Sequence, residues 1–231
     1  DPAILVQRVT VNDAGEETVS VVASVDDPGD RNGRIGQDYD DSTDDPSYKF
    51  TSPADGKYRV RVLDNFGVSR SDPRMQYELR IRPEMPGIRL TAELRQLKTA
   101  NANEIKIFSP VLRKSDALLV NVRVERLEGF AGEVTVKAEG MPAGVTCKPA
   151  VIGPNQTIAS LIFESAADVK PWEGVIKING SIELDGQVVT IPAKYGAVSW
   201  GTANKTQVPA YYRSLNEFNL SVIDSDDGAA F

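Results

Sequence analysis

Apolar and polar residues alternate with a period of two along most of this chain. In Leu118-Leu119-Val120-Asn121-Val122-Arg123-Val124-Glu125-Arg126, positions 118, 120, 122 and 124 are apolar while 121, 123 and 125 are polar. Glu133 to Glu139 repeats the scheme, and so do Ile176, Ile178, Ile182 and Leu184, with Gly180 read as a bulge. Such alternation describes a strand with one face on a core and the other in water. The same reading predicts strands at Ala3–Val11, Thr18–Val25, Tyr48–Thr51, Lys57–Leu63, Gln76–Arg82 and Arg89–Leu94. It continues at Glu104–Phe108, Thr157–Phe163, Gln187–Ile191 and Phe218–Val222. No apolar stripe at helical spacing is sustained over three turns, so the expected fold is all-β.

Turn residues separate these runs. Asp55-Gly56 and Asp185-Gly186 each lie between apolar stretches, and Asp-Gly takes the positive φ values of a tight hairpin readily. Asn65-Phe66-Gly67, Met141-Pro142-Ala143-Gly144 and Gly153-Pro154-Asn155 read as loops. Many short strands at this spacing predict sandwiches. The segment Arg82-Pro83-Glu84-Met85-Pro86-Gly87 cannot continue a central strand, because proline lacks the ladder donor. The expectation is therefore two consecutive β-sandwich domains, 1–84 and 85–222, with an acidic linker or tail at 223–231.

Composition narrows the chemistry. The 231 residues carry 26 Lys+Arg against 33 Asp+Glu, a net charge of −7, with no histidine and one cysteine. A Ser-His-Asp or Cys-His pair cannot be built within such a chain, nor can a histidine zinc site. The acidic balance argues against binding a phosphate backbone, so nucleic acid is not an expected partner. No apolar run approaches the ~20 residues of a membrane helix, so membrane insertion is not expected either. Cys147 reads as a small buried hydrophobe. Starting at Asp1-Pro2, the chain reads as a mature or excised piece of something longer.

At Thr51-Ser52-Pro53-Ala54-Asp55-Gly56-Lys57-Tyr58-Arg59-Val60-Arg61-Val62-Leu63-Asp64 the sequence resembles the bacterial pre-peptidase C-terminal (PPC) domain. That small β-sandwich is appended to secreted enzymes and surface proteins. Its closing pattern is matched by Asp40-Asp41, Tyr48–Phe50, Pro53 through Val62, and Tyr77-Glu78-Leu79-Arg80-Ile81. Asp1-Pro2-Ala3-Ile4-Leu5 resembles a mid-domain motif of the family, which implies strands upstream that this chain lacks. Either the domain is cut, or a partner strand covers the edge beside Ala3–Val11. Residues 118–191 resemble the immunoglobulin-like modules that follow such domains in large exported proteins of planctomycete-type bacteria. The matching stretches are Val124 to Gly132, Gly140 to Thr146 and Gly180 to Gly186. The resemblance implies export to a periplasmic, cell-surface or extracellular setting, tandem modules, and adhesion or presentation rather than catalysis.

Three constellations are candidate sites. Eight aspartates fall between Asp26 and Asp45, with glycines at 29, 33 and 36. Calcium takes six to eight hard oxygens at about 2.3–2.6 Å, which makes Asp26, Asp27, Asp40, Asp41 and Asp45 candidate ligands. A solvated acidic loop accounts for the same residues. Paired carboxylates can also serve as glycosidase acid and base, but no apolar pocket is evident to raise one pKa. Arg59, Arg61, Arg80 and Arg82 alternate with core positions, forming a solvated face partnered by Glu78 or a basic stripe that docks an acidic surface. Trp172, Trp200, Tyr211 and Tyr212, with Tyr195, could stack on sugar rings or pack internally.

Together these predict a non-catalytic, exported structural or interaction module of a larger multidomain protein, mediating docking or assembly. The alternatives are a carbohydrate-binding module and an accessory domain of a secreted hydrolase. Expected partners are other protein chains, further domains of the same protein, or glycan, with calcium the one candidate cofactor.

Overall fold

The computed structural model describes residues 2–27, 45–65, 76–94, 101, 104–204, 207 and 211–224. Among them there is no helix; all fifteen regular elements are strands. The chain divides into two compact units, Asp1–Pro83 and Glu84–Phe231, so the break falls inside the proline-rich segment.

In the first unit, β1 (Pro2–Val11), β2 (Glu17–Val25) and β3 (Lys57–Asp64) form an antiparallel sheet in the order β2-β1-β3. The expectation of an exposed edge beside Ala3–Val11 is overturned, because β1 is the central strand, paired on both sides. Val6 and Val9 are accordingly buried. Asn12 closes the β1–β2 hairpin: its Oδ1 accepts from the amides of Ala14 and Glu16 at 3.0 and 2.8 Å, and Gly15 supplies a φ of 82°.

Two predicted strands of this unit are not formed. Tyr48–Thr51 forms no strand among the described residues, and its Phe50 packs edge-on against Tyr58 of β3 at 4.9 Å. Gln76–Arg82 forms no strand despite its alternating pattern, and Tyr77 and Ile81 stand 72% and 77% exposed. Alternation creates a face to bury, but only a neighbouring ladder turns it into a strand. Asp55-Gly56 therefore joins no two strands and leads into β3.

The second unit is a two-layer structure around one apolar core. One sheet contains β4 (Gly87–Leu94), β6 (Ala117–Leu127), β8 (Val145–Cys147), β10 (Ile158–Ser165), β13 (Lys194–Trp200) and β14 (Tyr211–Leu215), in the order β14-β13-β4-β6-β10-β8. The other contains β5 (Val111–Arg113), β7 (Val134–Glu139), β9 (Ala150–Ile152), β11 (Trp172–Leu184), β12 (Gln187–Pro192) and β15 (Phe218–Ile223). Its order is β5-β15-β11-β7-β9, with β12 also on β11. The alternation read from the sequence faces inward here: Val120, Val122 and Val124 of β6 and Phe218, Leu220 and Val222 of β15 are all buried. Phe163 lies at the centre, fully buried and stacked 6.3 Å from Phe218.

Gly180 is not a bulge. It pairs in register with Val136 on one side and Ile191 on the other. A methyl group there would overlap Leu90 Cδ1 from the opposite sheet, so the glycine admits a close inter-sheet contact. Asp185 and Gly186 take φ values of 50° and 75° and turn β11 into β12, the hairpin that Asp-Gly predicts. Glu104–Phe108 contributes only an isolated bridge from Ile105 to Thr202. The short strands β5, β8 and β9, and also β13 and β14, carry too few alternations to be predicted. Ile223 pairs with Arg113, and Asp224 forms an ion pair with Lys114, so the tail begins later than expected; 225–231 lie outside the described residues.

Loops at one end are tied by Arg126. Its guanidinium donates to the carbonyls of Gln156 at 2.6 Å, Gly153 at 2.7 Å and Gly132 at 3.3 Å. A planar fork of donors suits converging carbonyls better than an ammonium would.

Candidate functional site

The three sequence candidates fare differently once placed. Asp26 and Asp27 follow β2 and are exposed, and Asp26 Oδ2 accepts from Asn65 Nδ2 at 2.6 Å. Asp45 is also exposed, while Asp40 and Asp41 lie outside the described residues. Among the described residues, no group of three or more acidic or sulfur ligands is close enough to hold a metal ion.

Arg59 and Arg61 do share the exposed face of β3. Arg59 Nη2 pairs with Glu17 Oε2 at 2.8 Å, and Lys57 Nζ approaches Glu17 Oε1 at 3.4 Å. Hydrogen bonds from Arg59 and then Lys57 hold the Glu17 carboxyl below the usual carboxylate range. The expected four-arginine stripe is not formed as a sheet face, because residues 76–82 make no strand. Arg80 pairs with its near neighbour Glu78 at 2.7 Å, and Arg82 donates to the Pro83 carbonyl at 3.0 Å.

The aromatics separate into two kinds. Trp172, at the start of β11, is half-buried against the core, and its indole covers Gly174 so closely that a methyl there would overlap the ring. Tyr212 is half-buried too, and Tyr195 is 7% exposed, edge-on to Phe218 at 4.8 Å. Trp200 and Tyr211, by contrast, are 66% and 61% exposed. They are cross-strand partners between β13 and β14, just past a bulge after Val198. Ser199 Oγ donates to the Tyr211 carbonyl at 3.0 Å and fixes the bulge. β14 ends the sheet order, so this aromatic pair sits on an edge ribbon.

A feature the sequence reading missed lies where the chain changes sheets. Along one edge of β11, β15 covers Trp172–Ile176 and β12 covers Asn179–Leu184. β12 ends at Pro192, Ala193 still donates its amide to the Ile178 carbonyl at 2.8 Å, and β13 then continues in the opposite sheet beside β4. The gap between β15 and β12 opens a cleft of about 430 Å³. Ile176, Ile178, Phe218 and Ala92 give it apolar walls, while Tyr195, Asn179 and Asn216 add polar groups. Glu139 and Lys177, opposed across β7 and β11, also line it. Glu139 is bonded by Lys137 at 2.6 Å and by Asn179 at 3.5 Å, and chiefly the Lys137 contact keeps its carboxyl ionised below the usual range. Burial pushes the Tyr195 hydroxyl up to about 12.

Pro192 was the only sequence signal for this cleft, as a proline closing an alternating run; Phe218 and Asn216 reach it through tertiary folding alone. Cys147 is half-buried against the core, and desolvation raises its thiol to about 11, so it is a packing residue rather than a nucleophile. The described residues present an exposed aromatic pair, a cleft, and carboxylates paired with neighbouring cations. No known family, curated protein or solved structure matches this chain. The resemblance to PPC and immunoglobulin-like domains therefore rests on the sequence motifs themselves.

Proposed function

We propose that this chain is a non-catalytic structural and interaction module of a larger exported bacterial protein, and that it works by docking to another copy. The observation carrying this reading is the Trp200–Tyr211 pair, two large aromatics opposed and mostly exposed on an edge ribbon. Tryptophan and tyrosine are enriched where protein surfaces bind, because they bury much area while losing few rotamers. Leu215, 41% exposed, extends the apolar character along β14. Among the described residues β14 pairs only with β13, and an edge of this kind accepts an added strand.

Sedimentation velocity over a concentration series tests the reading. The wild-type chain should associate as concentration rises, and W200A/Y211A should remain monomeric. Monomeric sedimentation of both proteins across the series would overturn assembly through this edge.

The same aromatic pair supports a second reading, glycan binding, since both rings are free to stack on a sugar. Trp200 emission should then shift on titration with a soluble polysaccharide and stay constant in Y211A. Calcium on Asp26, Asp27, Asp40, Asp41 and Asp45 is the remaining proposal, supported by the density of aspartates alone. An equal thermal midpoint with and without calcium, in wild type and in D40N/D41N, would remove it.

A further inference from the structure

One face of the first unit's sheet gathers apolar and basic groups that the edge ribbon does not use. Val21, Gln7 and Arg59 form one row across β2, β1 and β3, and Val19, Val9 and Lys57 form the next. Directly opposed residues share a face, so valines stand along β2 and cations along β3. We infer that this face docks residues 225–231 of a second copy, Ser-Asp-Asp-Gly-Ala-Ala-Phe, with the aspartates on β3 and Phe231 on β2.

Exposure and charge carry the inference. Val21 is 62% exposed, Val11 57% and Val19 39%, and apolar groups gathered together beside charges mark a surface that binds. Lys57 and Arg59 reach across β1 to Glu17 of β2, at 3.4 and 2.8 Å, the one carboxylate among the paired residues of this face. Arg61, opposite Leu5, is exposed and makes no ion pair with a described residue. Three cations against one carboxylate leave +2 here, on a chain whose net charge is −7. Asp226 and Asp227 supply the opposite charge, and Phe231 supplies a ring to cover the valines. The spacing agrees: Asp227 lies four residues from Phe231, about 13 Å in extended form, and β3 lies roughly 10 Å from β2. Exposed ion pairs and one ring make a weak contact, so the segment adds to an assembly held by the edge ribbon and does not by itself hold copies together in the sedimentation series. The second copy as donor thus rests on the proposed function.

A synthetic peptide of residues 225–231, titrated into 15N-labelled W200A/Y211A, should shift the amides of Val19, Val21, Arg59 and Arg61 saturably. Arg61→Glu, at an exposed position, should keep the dispersion of the spectrum and weaken the peptide about fivefold. Phe231→Ala in the peptide should weaken it about tenfold. To identify the donor, 15N-labelled W200A/Y211A/D226N/D227N, which keeps the face and loses the acids, is mixed with unlabelled W200A/Y211A. The same amides should move, and they should stay still with unlabelled W200A/Y211A/D226N/D227N. Shifts confined to other residues, equal peptide affinity in Arg61→Glu, equal affinity of the Phe231→Ala peptide, or no shift in the mixture would overturn the inference. Because Trp200 and Tyr211 are replaced throughout, this test and the sedimentation test of the edge ribbon fail separately.

Discussion

Replacing Gly180 with alanine tests whether the two sheets meet as closely as described. Gly180 is not among the residues with positive φ, so alanine is allowed by the backbone. In a strand interior that exchange ordinarily gains about 0.5–1 kcal/mol, because glycine loses more freedom on folding. Here the new methyl would overlap Leu90 Cδ1, lie 3.5 Å from Leu90 Cγ, and sit 3.2 Å from Val134 Cγ1. Carbon pairs are most stable at about 3.5–4.0 Å, so the side chains must give way. Leu90 is 3% exposed and Val134 fully buried, which leaves neither an empty place to move into. Overpacking costs about 1–3 kcal/mol, and overlap against two buried side chains belongs at the upper end, for a net loss of roughly 2 kcal/mol. In a domain of this size that lowers Tm by about 2–4 °C per kcal/mol. Urea unfolding followed by tryptophan fluorescence is a suitable assay, since both tryptophans, Trp172 and Trp200, belong to the second unit. Leu90→Ala alone should cost about 2–5 kcal/mol by opening a cavity. In that background Gly180→Ala should become neutral or stabilising, a coupling of at least about 1 kcal/mol. A Gly180→Ala protein as stable as wild type, or costs that simply add in the double variant, would refute the packing argument.

Arg126→Ala should destabilise the second unit by about 1.5–3 kcal/mol and speed amide exchange at Gly153–Gln156, since three carbonyls lose a charged donor. Arg126→Lys should recover less than half of the loss, because an ammonium cannot reach all three acceptors in one plane. Alkaline pH should weaken the fold in two windows. Cys147 moves from 9.0 to about 11 and Tyr195 from 10.0 to about 12 on folding, so above the lower value the unfolded chain releases a proton that the folded chain keeps. Stability from these groups is complete below pH 9 and falls as pH rises through about 11 and then about 12. Cys147→Ser should remove the first window and Tyr195→Phe the second, read as urea midpoints along a pH series. Iodoacetamide at pH 9 should modify folded Cys147 at least about tenfold more slowly than an unfolded-chain thiol.

The alternating runs of the second half were legible because each is long enough to declare a face. Val120, Val122 and Val124 are buried as their spacing predicts, and the Asp185-Gly186 hairpin follows from the two positive φ values that Asp-Gly tolerates. Tyr77, Leu79 and Ile81 show the limit of the same rule. Their alternation is as regular, yet the segment stays outside any sheet, because a strand is completed by a partner ladder that no local pattern encodes. Short strands such as Val145–Cys147 and Ala150–Ile152 escaped for the complementary reason: long-range pairing alone makes three residues a strand.

The candidate sites divide along the same line. Residue type alone excluded histidine-based chemistry and marked the aromatics as possible binding groups. It could not distinguish Trp172, folded onto Gly174, from Trp200, left in solvent, since exposure depends on what lies across the sheet. Nor could it find the cleft, whose walls come from β11, β15 and the start of β13, brought together where Pro192 ends one ladder and the chain crosses to the other. The all-β character was thus set by local alternation and turn chemistry, which act over a few residues. Which faces were covered, which stayed bare and where a hollow opened were decided by strand order, a property of residues far apart in the chain.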